Sequence, residues 1–316
     1  MVNNIIPKSS DNETKSLTAI GLMSGTSMDA IDLAIIKSNG EDEINFGPSG
    51  SLDYTMAERS LLESAMQKAH ACDGQVPLTG VFAEAAGLVT QKHAYAVKAF
   101  LKDHGLSARD IDLLGFHGQT ILHRPDEKYT CQIGDGRALA RLSGIDVVGD
   151  FRSADMLAGG QGAPLAPLYH KALSAKLLGE DNIAVLNIGG VGNVTFVNAE
   201  GMLAFDTGPG NALLDDWMMS KTGRPLDAQG ETARSGVVHD ELLSVWMRHP
   251  YFNKAAPKSL DRHGFDTFGL ESLSLEDGAA TLTAFTVNSI LKAETLLAAT
   301  PTTWIICGGA RHNDFM

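Results

Sequence analysis

The sequence predicts an α/β protein of two domains, and three observations carry that prediction. Two apolar strand pairs, each joined by a small-residue turn, open at Ala19 and at Asn182. Each pair is followed by alternating helix and strand patterns. A chain of 316 residues also has room for roughly two domains of about 150 residues each. The expected organisation is a frayed polar tail over 1–16, a first domain over 17–180 and a second over 181–316.

In the first pair, AIGLMSGTSMDAIDLAII (19–36), the apolar run ends in Ser24-Gly25-Thr26-Ser27, but no Gly-Lys-Ser/Thr helix follows. Ile31, Leu33 and Ile35 instead alternate with Asp32 and Ala34, a period of two that marks a second strand. A turn built of Gly, Ser and Thr aims several N–H and O–H donors at one point, which suits the oxygens of a phosphate. The candidate phosphate-binding stretch is therefore Gly25, Thr26, Ser27, Met28, Asp29, Ala30, Ile31 and Asp32. Asp29 is placed to hold Mg²⁺ through a water, because that ion takes one or two carboxylates beside phosphate oxygens. Taken alone, the turn reads first as an ordinary hairpin with a solvated acidic flank, because such turns are common; the second glycine hairpin and the Gly308-Gly309 turn shift the reading toward phosphate.

Helix patterns follow at 55–71 and 80–105, the second stopped by Gly105. DIDLLGFHGQT then reads as a short buried strand running into a loop that carries His117 and Gln119. GIDVVGDFR (144–152) repeats that plan with Asp150 and Arg152 in its turn, and a glycine loop and helix occupy 158–178. Ligands of open α/β sheets bind beyond the carboxyl ends of the strands. His117, Gln119 and Arg152 there can hydrogen-bond a polar, anionic small molecule such as an acidic sugar. Each of the three is also explained as a loop residue bonded to its own backbone.

NIAVLNIGGVGNVTFVN (182–198) repeats the strand–turn–strand design through Gly189, Gly190, Gly192 and Asn193. It is no dinucleotide fingerprint, since a strand rather than a helix follows the glycines. In MLAFDTGPGNALLDDWM (202–218), Asp206 ends an apolar strand ahead of Gly208-Pro209-Gly210, a loop that cannot fold over the carboxylate. A carboxylate at that place can take a proton from an attacking hydroxyl or water, or can serve only as a turn or capping acid. Asp215 and Asp216 fall in a helix's first turn, where the macrodipole favours acids. A long helix pattern over 274–299 precedes the strand TTWIIC, the turn Gly308-Gly309 and the start of another helix. The two glycine hairpins, about 160 residues apart, suggest an architectural duplication.

Composition excludes several partners. A net charge of −13 repels a nucleic-acid backbone. Three scattered cysteines, Cys72, Cys131 and Cys307, fit neither a disulfide framework nor a zinc site. No stretch reaches the length of a membrane span, and no signal-peptide core is present, so the expected location is the cytoplasm.

A phosphate turn between two strands, used twice, resembles the actin/sugar-kinase/heat-shock-ATPase superfamily. GLMSGTSMDAID, GFHGQT, QIGDGRALARLSGIDVVGDFR, GGQGAPLAP, NIGGVGNVT, FDTGPGN and PKS, in this order, narrow the resemblance to the anhydro-N-acetylmuramic acid kinase family. It covers about residues 19 to 316 and implies two ribonuclease-H-like domains flanking a cleft for ATP and sugar. It also implies hydrolytic opening of the 1,6-anhydro ring and phosphorylation of the freed 6-hydroxyl, in peptidoglycan recycling. Gly25–Asp32 and Gly189–Asn193 match the family's ATP-phosphate loops, Gly308-Gly309 the turn near adenosine, and Asp206 its catalytic base. His117, Gln119 and Arg152 fall in motifs near the sugar. ATP with Mg²⁺ and a homodimer are further implications; nothing in the spacing bears on the dimer. Ala30 stands where the family loop usually has Gly. The chain stops just inside the helix after Gly308-Gly309, which predicts a second domain incomplete at its C-terminus and weak ATP binding. Phosphorylation of another amino sugar, or a non-catalytic protein hinging on ATP, are the alternatives the residues leave open.

Overall fold

The computed structural model describes residues 15–25, 28–41, 43–177, 182–260 and 264–316, without the side chains of 175–177. The polar tail expected over 1–16 thus lies outside the described residues, apart from Lys15 and Ser16. Packing divides the chain into two compact units, Met1–Gly162 and Ala163–Met316.

The first unit opens on the antiparallel pair β1 (Leu17–Ser24) and β2 (Ala30–Ser38), with β3 (Ile44–Asp53) antiparallel on the other edge of β2. Helices α1 (Met56–His70) and α2 (Val81–Asp103) lead to β4 (Leu113–Arg124), which returns parallel to β1. Then come β5 (Tyr129–Ile133), α3 (Gly136–Ser143), β6 (Asp146–Gly149) and the short α4 (Ser153–Leu157). The sheet runs β3-β2-β1-β4-β5, with β6 parallel to β4.

On β1 the pattern is explicit: Ile20, Leu22 and Ser24 are buried while Gly21 and Met23 are exposed, so one face meets the core and the other stays accessible. Phe82, Ala85, Val89, Val97 and Phe100 form the buried stripe of α2 against that core. At the start of α1, Thr55 accepts from Glu58 N while the Glu58 carboxylate accepts from Thr55 N. Such a reciprocal cap is worth about 1 kcal/mol. Strand β3 is hidden in the sequence because Gly47, Pro48 and Gly50 obscure its pattern. It forms because β2 offers a free edge, and an edge strand tolerates Pro.

One local expectation is corrected here. His117 and Gln119 lie within β4, not in a loop after it. The strand changes partners at Gly118, whose φ of +73° breaks the regular pleat. The parallel pairing with β1 shifts register across that point and ends at Gln119, from which β4 pairs antiparallel with β5. A glycine that sequence reading takes as the start of a loop is instead a kink inside a continuing strand.

The second unit begins with α5 (Ala166–Leu177) and the strands β7 (Ile183–Ile188), β8 (Val191–Asn198) and β9 (Gly201–Pro209). Helices α6 (Ala212–Thr222), α7 (Glu231–Arg234), α8 (Asp240–Trp246) and α9 (Leu275–Glu294) precede β10 (Thr303–Cys307). The order β9-β8-β7-β10, with two antiparallel pairings and then a parallel one, repeats β3-β2-β1-β4 of the first unit. The core between α6, α8 and α9 is aromatic, with Trp246, Tyr251, Phe252, Phe265 and Phe285 in tilted, edge-on or stacked contact. After Gly308 the expected helix is a single 3₁₀ turn, Gly309–His312. Among the described residues, no helix is long and apolar enough to cross a membrane, and no group of three or more His, Cys, Asp or Glu could hold a metal ion.

Candidate active site

In the first unit, the glycine turn joins β1 to β2 as predicted, though Thr26 and Ser27 lie outside the described residues. Met28 closes it: its N–H donates to Gly25 O at 3.1 Å, its φ is +52°, and its side chain is buried in the core. A left-handed methionine is unfavourable in itself and is held here by its own burial. Ala30, where the resemblance expected Gly, is not among the residues with positive φ, so its methyl is accommodated. Ile31 is fully buried, which leaves only its backbone to any ligand. Asp32 is exposed, and its carboxyl is pushed above the usual range by desolvation and then by the charge of Asp29.

Gln119 is wholly buried and is committed to the turn. Its Oε1 accepts from Ser24 Oγ at 2.5 Å and its Nε2 donates to Gly25 O at 3.2 Å. Tyr54 closes the set at 3.1 Å from Ser24 Oγ, its phenol pushed up to about 12 by burial. The three side chains fix the end of β1 and the first carbonyl of the turn. His117 and Arg152 form a separate pair, with Arg152 Nε donating to His117 Nε2 at 3.0 Å. His117 Nδ1 is 2.9 Å from Gly118 O, so that nitrogen carries the ring's proton and Nε2 accepts. Burial, and then the Arg152 charge, hold His117 below its ordinary pKa.

In the second unit the turn is confined to Gly189-Gly190, and β8 resumes at Val191, so Gly192 and Asn193 belong to the strand. The turn is pinned from one side. Asn211 N donates to Gly189 O at 2.7 Å, while Gly210 N and Ala212 N donate to Gly190 O at 3.0 and 3.2 Å. A Cβ on Gly210 would lie 2.1 Å from Gly189 O, so only glycine fits. Gly308, with φ +87°, ends β10 beside β7, and a Cβ there would lie 2.5 Å from Ile188 O. The turns Gly189-Gly190 and Gly308-Gly309 and the N-terminus of α6 thus meet at one end of the sheet.

Asp206 does not end its strand, as the sequence suggests, but sits inside β9 at a bulge. Gly192 faces Gly208 and Asn193 faces Asp206, so Thr207 is the extra residue. A bulge re-aims the side chain beside it. Three groups that sequence reading missed hold the acid. Asp206 N donates to Lys258 O at 2.9 Å, Leu260 N donates to Asp206 Oδ2 at 2.7 Å, and Tyr251 OH donates to the Asp206 carbonyl at 2.5 Å. Lys258 is itself buried, with Nζ donating to Tyr251 O at 3.1 Å and lying 4.5 Å from the Tyr251 ring centroid. The Pro257-Lys258-Ser259 motif was the one visible signal of this clamp. Burial pushes the Asp206 carboxyl up to about 6, and the Leu260 N–H partly opposes that. Oδ1 has no protein partner among the described residues.

The first unit thus carries a braced glycine turn and a half-buried arginine, and the second two converging glycine turns and a carboxyl lifted toward neutrality; a phosphotransferase that acts on a hydroxyl of a small polar molecule is the class of protein that uses such groups. The comparison with known sequences specifies which kind. The profile of the anhydro-N-acetylmuramic acid kinase family matches residues 17–316, and the chain belongs to that family. An anhydro-N-acetylmuramic acid kinase of Methylobacterium nodulans is 50% identical over 311 residues, covering 95% of this chain and 83% of that one. One from Rhodopseudomonas palustris is 50% identical over 298 residues, 94% and 81% of the two chains. One from Zymomonas mobilis is 45% identical over 304 residues, 95% and 83%. The chain is accordingly a kinase.

Proposed function

We propose that this kinase opens the 1,6-anhydro ring of anhydro-N-acetylmuramic acid with water and transfers the γ-phosphoryl group of ATP to the freed 6-hydroxyl, with Asp206 as general base. The products are N-acetylmuramic acid 6-phosphate and ADP, a step of cell-wall recycling. The observation that carries the reading is the state of Asp206: one oxygen held by Leu260 N–H, the other without a partner among the described residues, and a pKa of about 6. Such a carboxylate is ionised at neutral pH, yet basic enough to accept a proton in the transition state. It takes a proton from the water whose oxygen attacks C1, the C1–O6 bond breaks, and O6 then attacks the γ-phosphorus as ADP leaves.

The remaining assignments follow the same reading. Gly25, Met28, Asp29, Ala30, Ile31 and Asp32 offer backbone and carboxylate at one phosphate turn; Gly189, Gly190, Gly192, Asn193, Gly308 and Gly309 offer backbone at the other. Gln119 acts through the turn it braces. Mg²⁺, when bound, offsets the charge of the phosphates, and the Asp29–Asp32 neighbourhood fits it. Matching strand order in the two units supports a ribonuclease-H-like reading of each. A homodimer is a further implication of the family, to be checked by sedimentation equilibrium.

The test is ADP release coupled to a dehydrogenase. Wild type should release ADP only when the anhydro sugar is present, and Asp206→Asn should lose that release while still binding nucleotide. Sugar-independent ADP release by wild type would count against the reading.

A further inference from the structure

Asp206 is placed by a bulge, and the bulge does not hold itself. Thr207, its extra residue, is 1% exposed, and its Oγ1 has no hydrogen-bond partner among the described residues. A buried hydroxyl left unpaired is a cost, so something outside β9 must favour the bulged register. That register matters, because a slip of one residue turns a strand's side chains to the opposite face.

The fastening is a clasp centred on Tyr251. This residue is buried in the 3₁₀ turn Pro250–Asn253, its ring edge-on to Phe252 and Phe265 with centroids 5.9 and 6.0 Å away. Its hydroxyl donates to the Asp206 carbonyl, and its own carbonyl accepts from Lys254 N and Lys258 Nζ, each at 3.1 Å. The Lys258 ammonium lies 4.5 Å from the Tyr251 ring centroid and 5.9 Å from that of Phe205, with no carboxylate partner among the described residues. A methionine would fill the same space without burying a charge, so packing alone does not account for the lysine. From Lys258 the chain runs along the acid, with Lys258 O accepting from Asp206 N and Leu260 N donating to Asp206 Oδ2. The residue that grips Tyr251 is thus also the start of the backbone brace on Asp206.

We infer that Tyr251 and Lys258 are positioning residues for the general base, acting as one clasp that holds the bulge at Thr207 and keeps the Leu260 N–H on the Asp206 carboxylate. The inference rests on the reading of Asp206 as the base and adds what aims it. Burial raises that carboxyl and the Leu260 N–H lowers it, so a loosened clasp weakens the N–H bond and raises the carboxyl further. Of ionisable groups, Tyr251 faces Asp206 from the 3₁₀ turn and Lys258 from the loop that follows; Asn193, opposite on β8, and Leu260 carry no charge.

The experiment follows the Asp206 carboxyl by NMR in the full chain carrying ¹³C-labelled aspartate, its signal assigned by its absence from Asp206→Asn. Wild type should titrate at about pH 6. Tyr251→Phe removes one oxygen and keeps the ring; it should raise that midpoint by about one unit, the tenfold gain in proton affinity expected when a hydrogen bond to the charged form is lost. Lys258→Met should do the same. In the coupled assay each variant should lower kcat by about ten- to a hundredfold while KM for ATP and for the sugar stays within about twofold, because a misaimed base leaves binding intact. The double variant should lose no more than about twofold beyond the worse single one. A midpoint unmoved in Tyr251→Phe would overturn the inference, even with a lowered melting temperature, since that combination marks a structural role. Losses that multiply in the double variant would overturn it too. Full turnover by Asp206→Asn would instead sink the base reading and the inference with it. Should Lys258→Met fail to fold by circular dichroism, the midpoint of Tyr251→Phe decides.

Discussion

Replacing Asp206 by asparagine should make this protein far less active and at the same time more stable. The burial that lifts the carboxyl from 3.8 to about 6 is a cost borne by the folded state. At 1.36 kcal/mol per pH unit it amounts to about 3 kcal/mol wherever the folded carboxyl is ionised. The sign follows from proton binding. Between the unfolded and folded pKa values the native state holds a proton that the unfolded chain does not, so stability falls as pH rises through that window. The penalty is complete above about pH 6 and absent below about pH 4. Asparagine keeps an oxygen for the Leu260 N–H and carries no charge. Urea melts at pH 7.5 should therefore show Asp206→Asn more stable than wild type by about 1–3 kcal/mol, the gain fading at pH 4. In the coupled assay the same variant should lose about 10²–10⁴ of turnover, and wild-type kcat/KM should decline tenfold per pH unit below about pH 6. Turnover at the parental rate, or a variant less stable than wild type at pH 7.5, would refute the reasoning.

Three other outcomes test the rest of the structure. Gln119→Leu removes two buried hydrogen bonds at the first glycine turn; it should lose about 2–3 kcal/mol in a urea melt and raise the KM for ATP more than it lowers kcat. Gly210→Ala forces a methyl to within 2.1 Å of Gly189 O and should cost at least about 2 kcal/mol. Gly190→Ala, whose methyl meets only Ala212 Cβ at 3.5 Å, should stay within about 0.5 kcal/mol by thermal melt. His93 is fully buried, and burial lowers its pKa from 6.5 to about 4. Here the unfolded chain takes up the proton first, so this contribution to stability is lost as pH falls from about 6.5 to 4. His93→Leu should flatten the pH dependence of the melt over that range, and an unchanged slope would show that His93 is not its source.

The sequence displayed the elements whose hydrophobic period is clean: the strands around both glycine turns, α2 with its buried stripe, and α9. It hid β3, because propensity reads Gly47 and Pro48 as loop while tertiary pairing supplies the strand. It also misplaced His117, Gln119 and Asp206 at strand ends, because a glycine kink at Gly118 and a bulge at Thr207 look like terminations in one dimension. Most of the candidate residues were visible as motifs, but their division of labour was not. Gln119 resembles a ligand contact until its burial and its two bonds to the turn are seen. Tyr251, Lys258 and Leu260 reach Asp206 from about 50 residues further along the chain, a proximity that periodicity does not encode.

The most direct test of the central claim is the mass of the product formed when the full chain meets ATP, Mg²⁺ and anhydro-N-acetylmuramic acid. Coupled hydrolysis and phosphoryl transfer predicts a sugar heavier by one HPO₃ and one water, formed in equal amount with ADP. A product that gains HPO₃ alone, with its anhydro ring intact, would contradict it.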